Sequence, residues 1–236
     1  MRILAHRGAS ADFPENTLEA FNAAVAQGAD GVELDVMRCA TGELVVCHDE
    51  QLSRLAGLEW WVHTTPWWKL QKADVGSALG FAPARIPRLE EVLESLPEAL
   101  LVNVELKCET VDDHGLTHAV GELVESWGLH ERVLCSSFNP LCLMRLGARF
   151  PRIRRGLLIA PDKGWLLMSL LRPLTGRDSV HPHFSACTPE RVARWKALGL
   201  KIAVWTVDDP AVARALERLE VDYVITNRPA ELRNAL

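Results

Sequence analysis

No apolar run in this 236-residue sequence approaches the roughly 20 residues that a bilayer span requires. The most apolar stretch, Trp165 to Leu171, falls far short, so stable membrane insertion is not expected. A secretory leader is not expected either. Met1-Arg2-Ile3-Leu4-Ala5 runs straight into His6-Arg7-Gly8, without a longer apolar segment or a cleavage site. The six cysteines (39, 47, 108, 135, 142 and 187) form no CxxC pair and read as reduced residues, several of them in the core. Together these absences predict a cytoplasmic protein. There is no basic excess either: 26 Lys and Arg against 31 Asp and Glu give a net charge of −5. That argues against nucleic acid as a partner, yet a few local cations would still suffice for an anionic small substrate. No internal repeat or low-complexity segment interrupts the chain. What is present, 48% hydrophobic and 24% charged residues, is ample for a buried core and excludes a disordered tail protein.

Short β-type runs alternate with stretches of helical period. The runs are Ile3–His6, Gly31–Met37, Leu44–His48, Leu101–Leu106, Val133–Ser137, Ile153–Ile159, Ser179–Phe184, Lys201–Val207 and Asp222–Thr226. Between them, Asn16 is placed to cap a helix with Leu18, Phe21 and Val25 on one face, ending at Gly28. Leu89, Val92, Leu93 and Leu96 mark a second helix. Leu116, Val120, Leu123, Val124 and Trp127 mark a third. Asn139-Pro140, Thr188-Pro189 and Asp209-Pro210 open three more. Strand–helix alternation predicts βαβ units and a parallel sheet. One connection breaks the pattern. The few residues around Thr41-Gly42 are too short for a crossover helix, so Leu44–His48 reads as an antiparallel hairpin strand. Removing it leaves eight parallel strands, the number that closes a TIM-type (β/α)₈ barrel. Such barrels usually need about 250 residues, so 1–236 is expected to be one domain, with 51–87 a loop-rich excursion.

The chemistry gathers at strand ends. Glu33 and Asp35 alternate with Val32, Leu34 and Val36, so the strand period of two puts both carboxylates on one face. Glu105 and Lys107 repeat that spacing on another strand. Three carboxylates from two strands offer the hard oxygen ligands that Mg²⁺ or Ca²⁺ takes. A buried Glu–Lys ion pair beside an exposed acidic face is the alternative. His6 and His48 each end a strand, and hairpin pairing would bring His48 beside Asp35 or Val36. Two imidazoles so placed fit a general acid and a general base. Arg7 and Lys107 are then cations for a phosphate or another oxyanion.

The motifs His6-Arg7-Gly8, Pro14-Glu15-Asn16-Thr17, Glu33-Leu34-Asp35-Val36 and His48-Asp49 together resemble the glycerophosphodiester phosphodiesterase family. The resemblance continues through Ile86-Pro87, Glu105-Leu106-Lys107, Ser136-Ser137-Phe138, Trp205-Thr206-Val207 and Asp222–Thr226, in order along nearly the whole chain. It implies a TIM-type barrel that hydrolyses glycerophosphodiesters to sn-glycerol 3-phosphate and an alcohol. It further implies Glu33, Asp35 and Glu105 as ligands of one divalent cation, Mg²⁺ or Ca²⁺. His6 and His48 become the acid–base pair, Arg7 and Lys107 the phosphate contacts, and Trp205 a wall near the glycerol. Phe138 is a candidate for the apolar wall around the rest of the substrate. Leu55-Ala56 and Arg88 stand where similar proteins often carry Thr, which bears on substrate preference.

The remaining histidines read as structural. His114 and His118 lie four apart and favour a solvated helix face over a metal pair. His63 and His130 read as surface residues, and His183 is close enough to a strand end to reach the site. A core helix is preferred for Trp165 to Leu171 over an oligomer contact or a membrane-touching one, and a homo-oligomer is left open. The competing functions are a lysophospholipase D or phosphoinositide-type phospholipase of the same superfamily, an enolising lyase with Lys107 as base, and a silent glycerophosphodiester-binding barrel.

Overall fold

The computed structural model of the protein describes residues 1–108, 110–161, 175 and 178–236. The stretch Trp165 to Leu171 therefore lies outside the described residues. Nine strands form one sheet: β1 (Arg2–His6), β2 (Gly31–Arg38), β3 (Leu44–Val46), β4 (Leu101–Leu106), β5 (Val133–Ser137), β6 (Arg154–Ile159), β7 (Ser179–Pro182), β8 (Lys201–Val204) and β9 (Tyr223–Thr226). Their order is β1-β9-β8-β7-β6-β5-β4-β2-β3, and an added β1–β2 pairing closes the eight parallel strands into a barrel. The ninth, β3, pairs antiparallel with the last three residues of β2, Val36 facing Val46. It ends at Val46, two residues short of the expected His48.

Nine α-helices are described: α1 (Leu18–Ala26), α2 (Ser53–Ala56), α3 (Trp67–Leu70), α4 (Leu89–Ser95), α5 (Leu116–Ser126), α6 (Pro140–Arg149), α7 (Pro189–Ala197), α8 (Pro210–Arg218) and α9 (Pro229–Ala235). The cap-plus-proline openings hold. Asn139, Thr188 and Asp209 accept from the backbone N–H groups of Leu141, Arg191 and Ala211, and proline follows each cap. One cap is corrected. Thr17, not Asn16, caps α1, its hydroxyl accepting from Ala20 N. Asn16 instead adopts a left-handed φ of 58° and turns inward. Trp127 is a second departure, for it closes α5 as a C-cap with 42% of its surface exposed.

The strand period separates two environments. Val32, Leu34 and Val36 point outward and pack with Phe21 of α1, Val92 of α4 and Val120 of α5. A matching layer on the far side joins Ile202, Val204 and Val224 to Val192, Trp195 and Leu216. Inside the barrel, Leu4, Leu101, Ala203 and Ile225 form an apolar floor. Gly31 belongs to that floor, since a Cβ there would sit 2.5 Å from Leu101 O and 2.6 Å from Leu4 Cδ2. The excursion is not loose: Leu52, Leu55, Val62, Leu70 and Ile86 pack on Met37, Val45 and Cys47 of the hairpin. All six cysteines are free thiols.

Candidate active site

Above the apolar floor the interior turns polar. Strand register sets Glu33 beside Asn103 and Asp35 beside Glu105, so alternation on β2 and β4 delivers three carboxylates to one level. One oxygen from each of Glu33, Asp35 and Glu105 lies within 4.8 Å of the others. Glu33 and Asp35 are 3% and 1% exposed. Burial, then the Asp35 and Glu105 charges, push Glu33 well above the usual carboxylate range. Burial and Asp35 raise Glu105 to about 7. Burial also opposes the charge on Asp35, but Arg7, Lys107 and His48 outweigh it and hold Asp35 low. Asp35 Oδ1 is buried without a hydrogen-bond partner. A crowded, partly unsatisfied set of hard oxygen donors fits a divalent cation, which would relieve the repulsion.

Two cations and two imidazoles border this cluster. Arg7 Nε lies 3.1 Å from Asp35 Oδ2, and its Nη1 donates to Glu15 Oε1 at 2.9 Å. Lys107 Nζ is 3.0 Å from Glu105 Oε1 and 3.7 Å from Asp35 Oδ1. His6 Nε2 faces Glu33 Oε2 at 3.9 Å, while its Nδ1 lies 2.7 Å from Asn227 Oδ1. Burial and the Arg7 charge lower His6 to about 4. His48 sits just past β3, its Nδ1 2.7 Å from Asp49 Oδ1. Arg54 ties Asp49 to Glu15 through bonds of 2.7 and 2.8 Å. A chain Arg7–Glu15–Arg54–Asp49–His48 thus braces both sides of the cluster.

All nine residues singled out in the sequence lie at this end of the barrel. Eight of them, His6, Arg7, Glu33, His48, Glu105, Lys107, Phe138 and Trp205, line a cavity of about 270 Å³. Asp35 sits beneath it, held by Arg7 and Lys107. Trp205 meets Phe138 edge to face, ring centres 5.4 Å apart, and its indole N–H donates to His181 O at 2.7 Å. Both rings, with Leu158 and Ile225, give the cavity one apolar wall.

The sequence reading missed the supports. Asn16 brackets Asp35, donating to Oδ2 at 2.9 Å and accepting from the Asp35 N–H at 3.2 Å. Its place in the Pro14–Thr17 motif, beside a capping Thr17, hid that role behind a capping signal. Asn103 lines the cavity with a buried, unpartnered Oδ1. Only its place two residues before Glu105 could have hinted at it. Asn227 and Asp208 carried no signal beyond proximity to strand ends. Among the other histidines, His114 precedes α5 and so cannot pair with His118 along it; His114 stacks on His63 at 5.2 Å. His118 pairs with Glu122. His130 is half-buried beside Glu125, less exposed than expected. His183 stands against Trp205, ring centres 5.1 Å apart, and does not itself line the cavity.

Comparison with known proteins gives the arrangement its context. The model of the glycerophosphoryl diester phosphodiesterase family matches residues 6–231. The chain belongs to this family. It is accordingly an enzyme, a phosphoric diester hydrolase. A glycerophosphodiester phosphodiesterase of Caldanaerobacter subterraneus subsp. tengcongensis is 35% identical over 98% of this chain and 96% of its own. A crystal structure of a Silicibacter pomeroyi protein described as a putative family member superposes with a TM-score of 0.89 at 26% identity, covering 100% of this chain and 92% of that one. An Oleispira antarctica phosphodiesterase solved with the product sn-glycerol-3-phosphate superposes at 0.83 with 30% identity, covering 100% and 96%. The family's barrel is the fold described above. Among the described residues no helix is long and apolar enough to cross a membrane.

Proposed function

We propose that this family member hydrolyses glycerophosphodiesters such as glycerophosphocholine and glycerophosphoethanolamine to sn-glycerol 3-phosphate and an alcohol. It does so in the cytoplasm, with residues 1–236 acting as one barrel domain. The observation that carries this reading is the convergence of three carboxylates within 4.8 Å, flanked by Arg7, Lys107 and two imidazoles. The product bound to the Oleispira antarctica relative supports the same substrate class.

Glu33, Asp35 and Glu105 would hold one Mg²⁺ or Ca²⁺, and the bound cation would supply positive charge next to the phosphate. The remaining chemistry falls to the chain's own side chains. Arg7 and Lys107 neutralise the diester and the further negative charge that grows on its oxygens as a nucleophile attacks. Their pairing with Asp35 and Glu105 keeps both charged and aimed into the cavity. In the reaction a new P–O bond forms from the attacking hydroxyl and the P–O bond to the departing alcohol breaks. One imidazole takes the nucleophile's proton and the other supplies a proton to the leaving oxygen, so His6 and His48 form the acid–base pair. Phe138 and Trp205 exclude water on one side and pack against the carbon skeleton of the substrate.

The test is release of glycerol 3-phosphate from glycerophosphocholine and glycerophosphoethanolamine, first by chelated protein and then with Mg²⁺ or Ca²⁺ restored. Metal-restored release is expected, with His6→Ala and His48→Ala each lowering turnover about 10² to 10⁴-fold. Release that survives chelation would overturn the ligand assignment. Folded protein silent with every metal, but active on lysolipid, would favour the lysophospholipase reading.

A further inference from the structure

His6 reaches the cavity through one ring nitrogen only, so which nitrogen carries the proton decides what the ring can do there. Its other nitrogen, Nδ1, lies 2.7 Å from Asn227 Oδ1. Asn227 stands just past β9. Asp208, on the loop between β8 and α8, accepts from the Asn227 amide Nδ2 at 2.6 Å. The other Asp208 oxygen, Oδ1, accepts from Asn227 N at 2.8 Å and from the Thr226 hydroxyl at 3.0 Å. An ionised carboxylate only accepts, so the Asn227 side chain must turn its NH₂ toward Asp208 and its carbonyl oxygen toward His6. Ser10 Oγ lies 2.8 Å from the same carbonyl oxygen and 2.8 Å from His6 O, so its single proton leaves the amide orientation to Asp208. A carbonyl oxygen cannot donate. The proton of the neutral ring is therefore drawn to Nδ1, and Nε2 is left with a lone pair facing the carboxylate cluster.

We infer that Asp208 and Asn227 are positioning residues that hold His6 with its Nδ1 hydrogen on the Asn227 carbonyl oxygen, so that the neutral ring is the Nδ1–H tautomer and Nε2 is the nitrogen through which it exchanges a proton in the cavity. This inference rests on the reading of His6 and His48 as the acid–base pair. Neither Asp208 nor Asn227 needs to touch substrate. Their effect passes through the orientation of one amide, and an amide reversed by 180° would present NH₂ to Nδ1 and force the proton onto Nε2. The neutral ring would then turn a hydrogen, and no lone pair, into the cavity.

The experiment is a two-bond ¹H–¹⁵N correlation on the full-length, ¹⁵N-histidine-labelled protein with Mg²⁺ added, in which the shifts of the two ring nitrogens report the tautomer. His6→Ala identifies the His6 signals. In the wild type Nδ1 should appear protonated and Nε2 unprotonated. Asp208→Asn removes the acceptor-only partner, so the Asn227 amide is free to reverse; the Nε2–H tautomer should appear and kcat should fall about tenfold or more, with KM within about twofold. The double variant Asp208→Asn with Asn227→Asp exchanges amide and carboxylate. It restores an acceptor against Nδ1 and should recover both the Nδ1–H tautomer and most of kcat. A wild-type ring carrying its proton on Nε2 overturns the inference outright, and that outcome needs no variant to fold. An unchanged tautomer in folded Asp208→Asn, or a folded double variant that fails to restore it, overturns the control by Asp208. A shifted tautomer with unchanged kcat has a different meaning. It sinks the placing of His6 in the reaction and, with it, the catalytic half of the inference.

Discussion

Replacing Glu105 by glutamine should stabilise the metal-free enzyme while removing its response to metal. An acid raised from 4.5 to about 7 by burial and the Asp35 charge is harder to ionise in the folded protein than in the unfolded chain. A raised carboxyl favours the fold fully below pH 4.5, and that contribution is lost as pH climbs to 7. At about 1.4 kcal/mol per pH unit, the ionised Glu105 costs the metal-free fold about 3 kcal/mol at pH 8. Glutamine removes the charge and still accepts from Lys107, so much of that cost should be recovered. For a chain of this size each kcal/mol moves Tm by about 2–4 °C. With EDTA at pH 8, Glu105→Gln is therefore expected to melt about 5 °C or more above the wild type, and the gap should close near pH 5. Cation should act in the opposite sense. At a hundredfold excess over Kd a bound ion stabilises the fold by about 2.7 kcal/mol, so the wild type should gain several degrees and the variant little. Differential scanning fluorimetry at pH 5 and pH 8, with and without Mg²⁺ or Ca²⁺, reads all of these. A variant that melts below the wild type in EDTA at both pH values, or keeps the full metal response, would refute the account of the cluster.

Other consequences can be checked alongside. Burial lowers His181 to about 3, so its neutral form supports the fold above pH 6.5 and that support drains away at about 1.4 kcal/mol per pH unit as pH falls toward 3. Urea unfolding of His181→Gln should show a correspondingly flatter acid slope; parallel curves would remove the residue from the pH response. Gly31→Ala should destabilise by at least about 1–3 kcal/mol, because its Cβ would meet the Leu101 carbonyl, which is backbone and cannot swing aside. A neutral urea midpoint would contradict that close approach. Phe138→Ala, which strips one apolar wall from the cavity, should raise KM about five- to tenfold with a smaller change in kcat. Steady-state kinetics showing an unchanged KM would put the substrate elsewhere.

By itself the sequence determined the local periodicities and the residues they carry. The two-residue alternation around Glu33 and Asp35 already placed both carboxylates on one face, because successive side chains in a strand must point opposite ways. The short link through Thr41-Gly42 demanded a hairpin, and the eight remaining strands matched the number that closes a barrel. The motifs supplied nine residues that do come together at one end of the barrel. Tertiary structure decided the rest. Asn16 reads as a cap by residue type, yet Thr17 takes the cap and Asn16 turns to Asp35, a choice that depends on β2 standing beside it. The relation of Glu105 to Asp35 follows from β2–β4 register, which no local pattern contains. Asn227, backed by Asp208, meets His6 across more than two hundred residues only because β9 pairs with β1 to close the ring. Proton affinities belong to the same class. Glu33 and Asp35 are two residues apart on one strand, but Arg7 and Lys107 reach Asp35 more directly, and that asymmetry exists only once the barrel has folded.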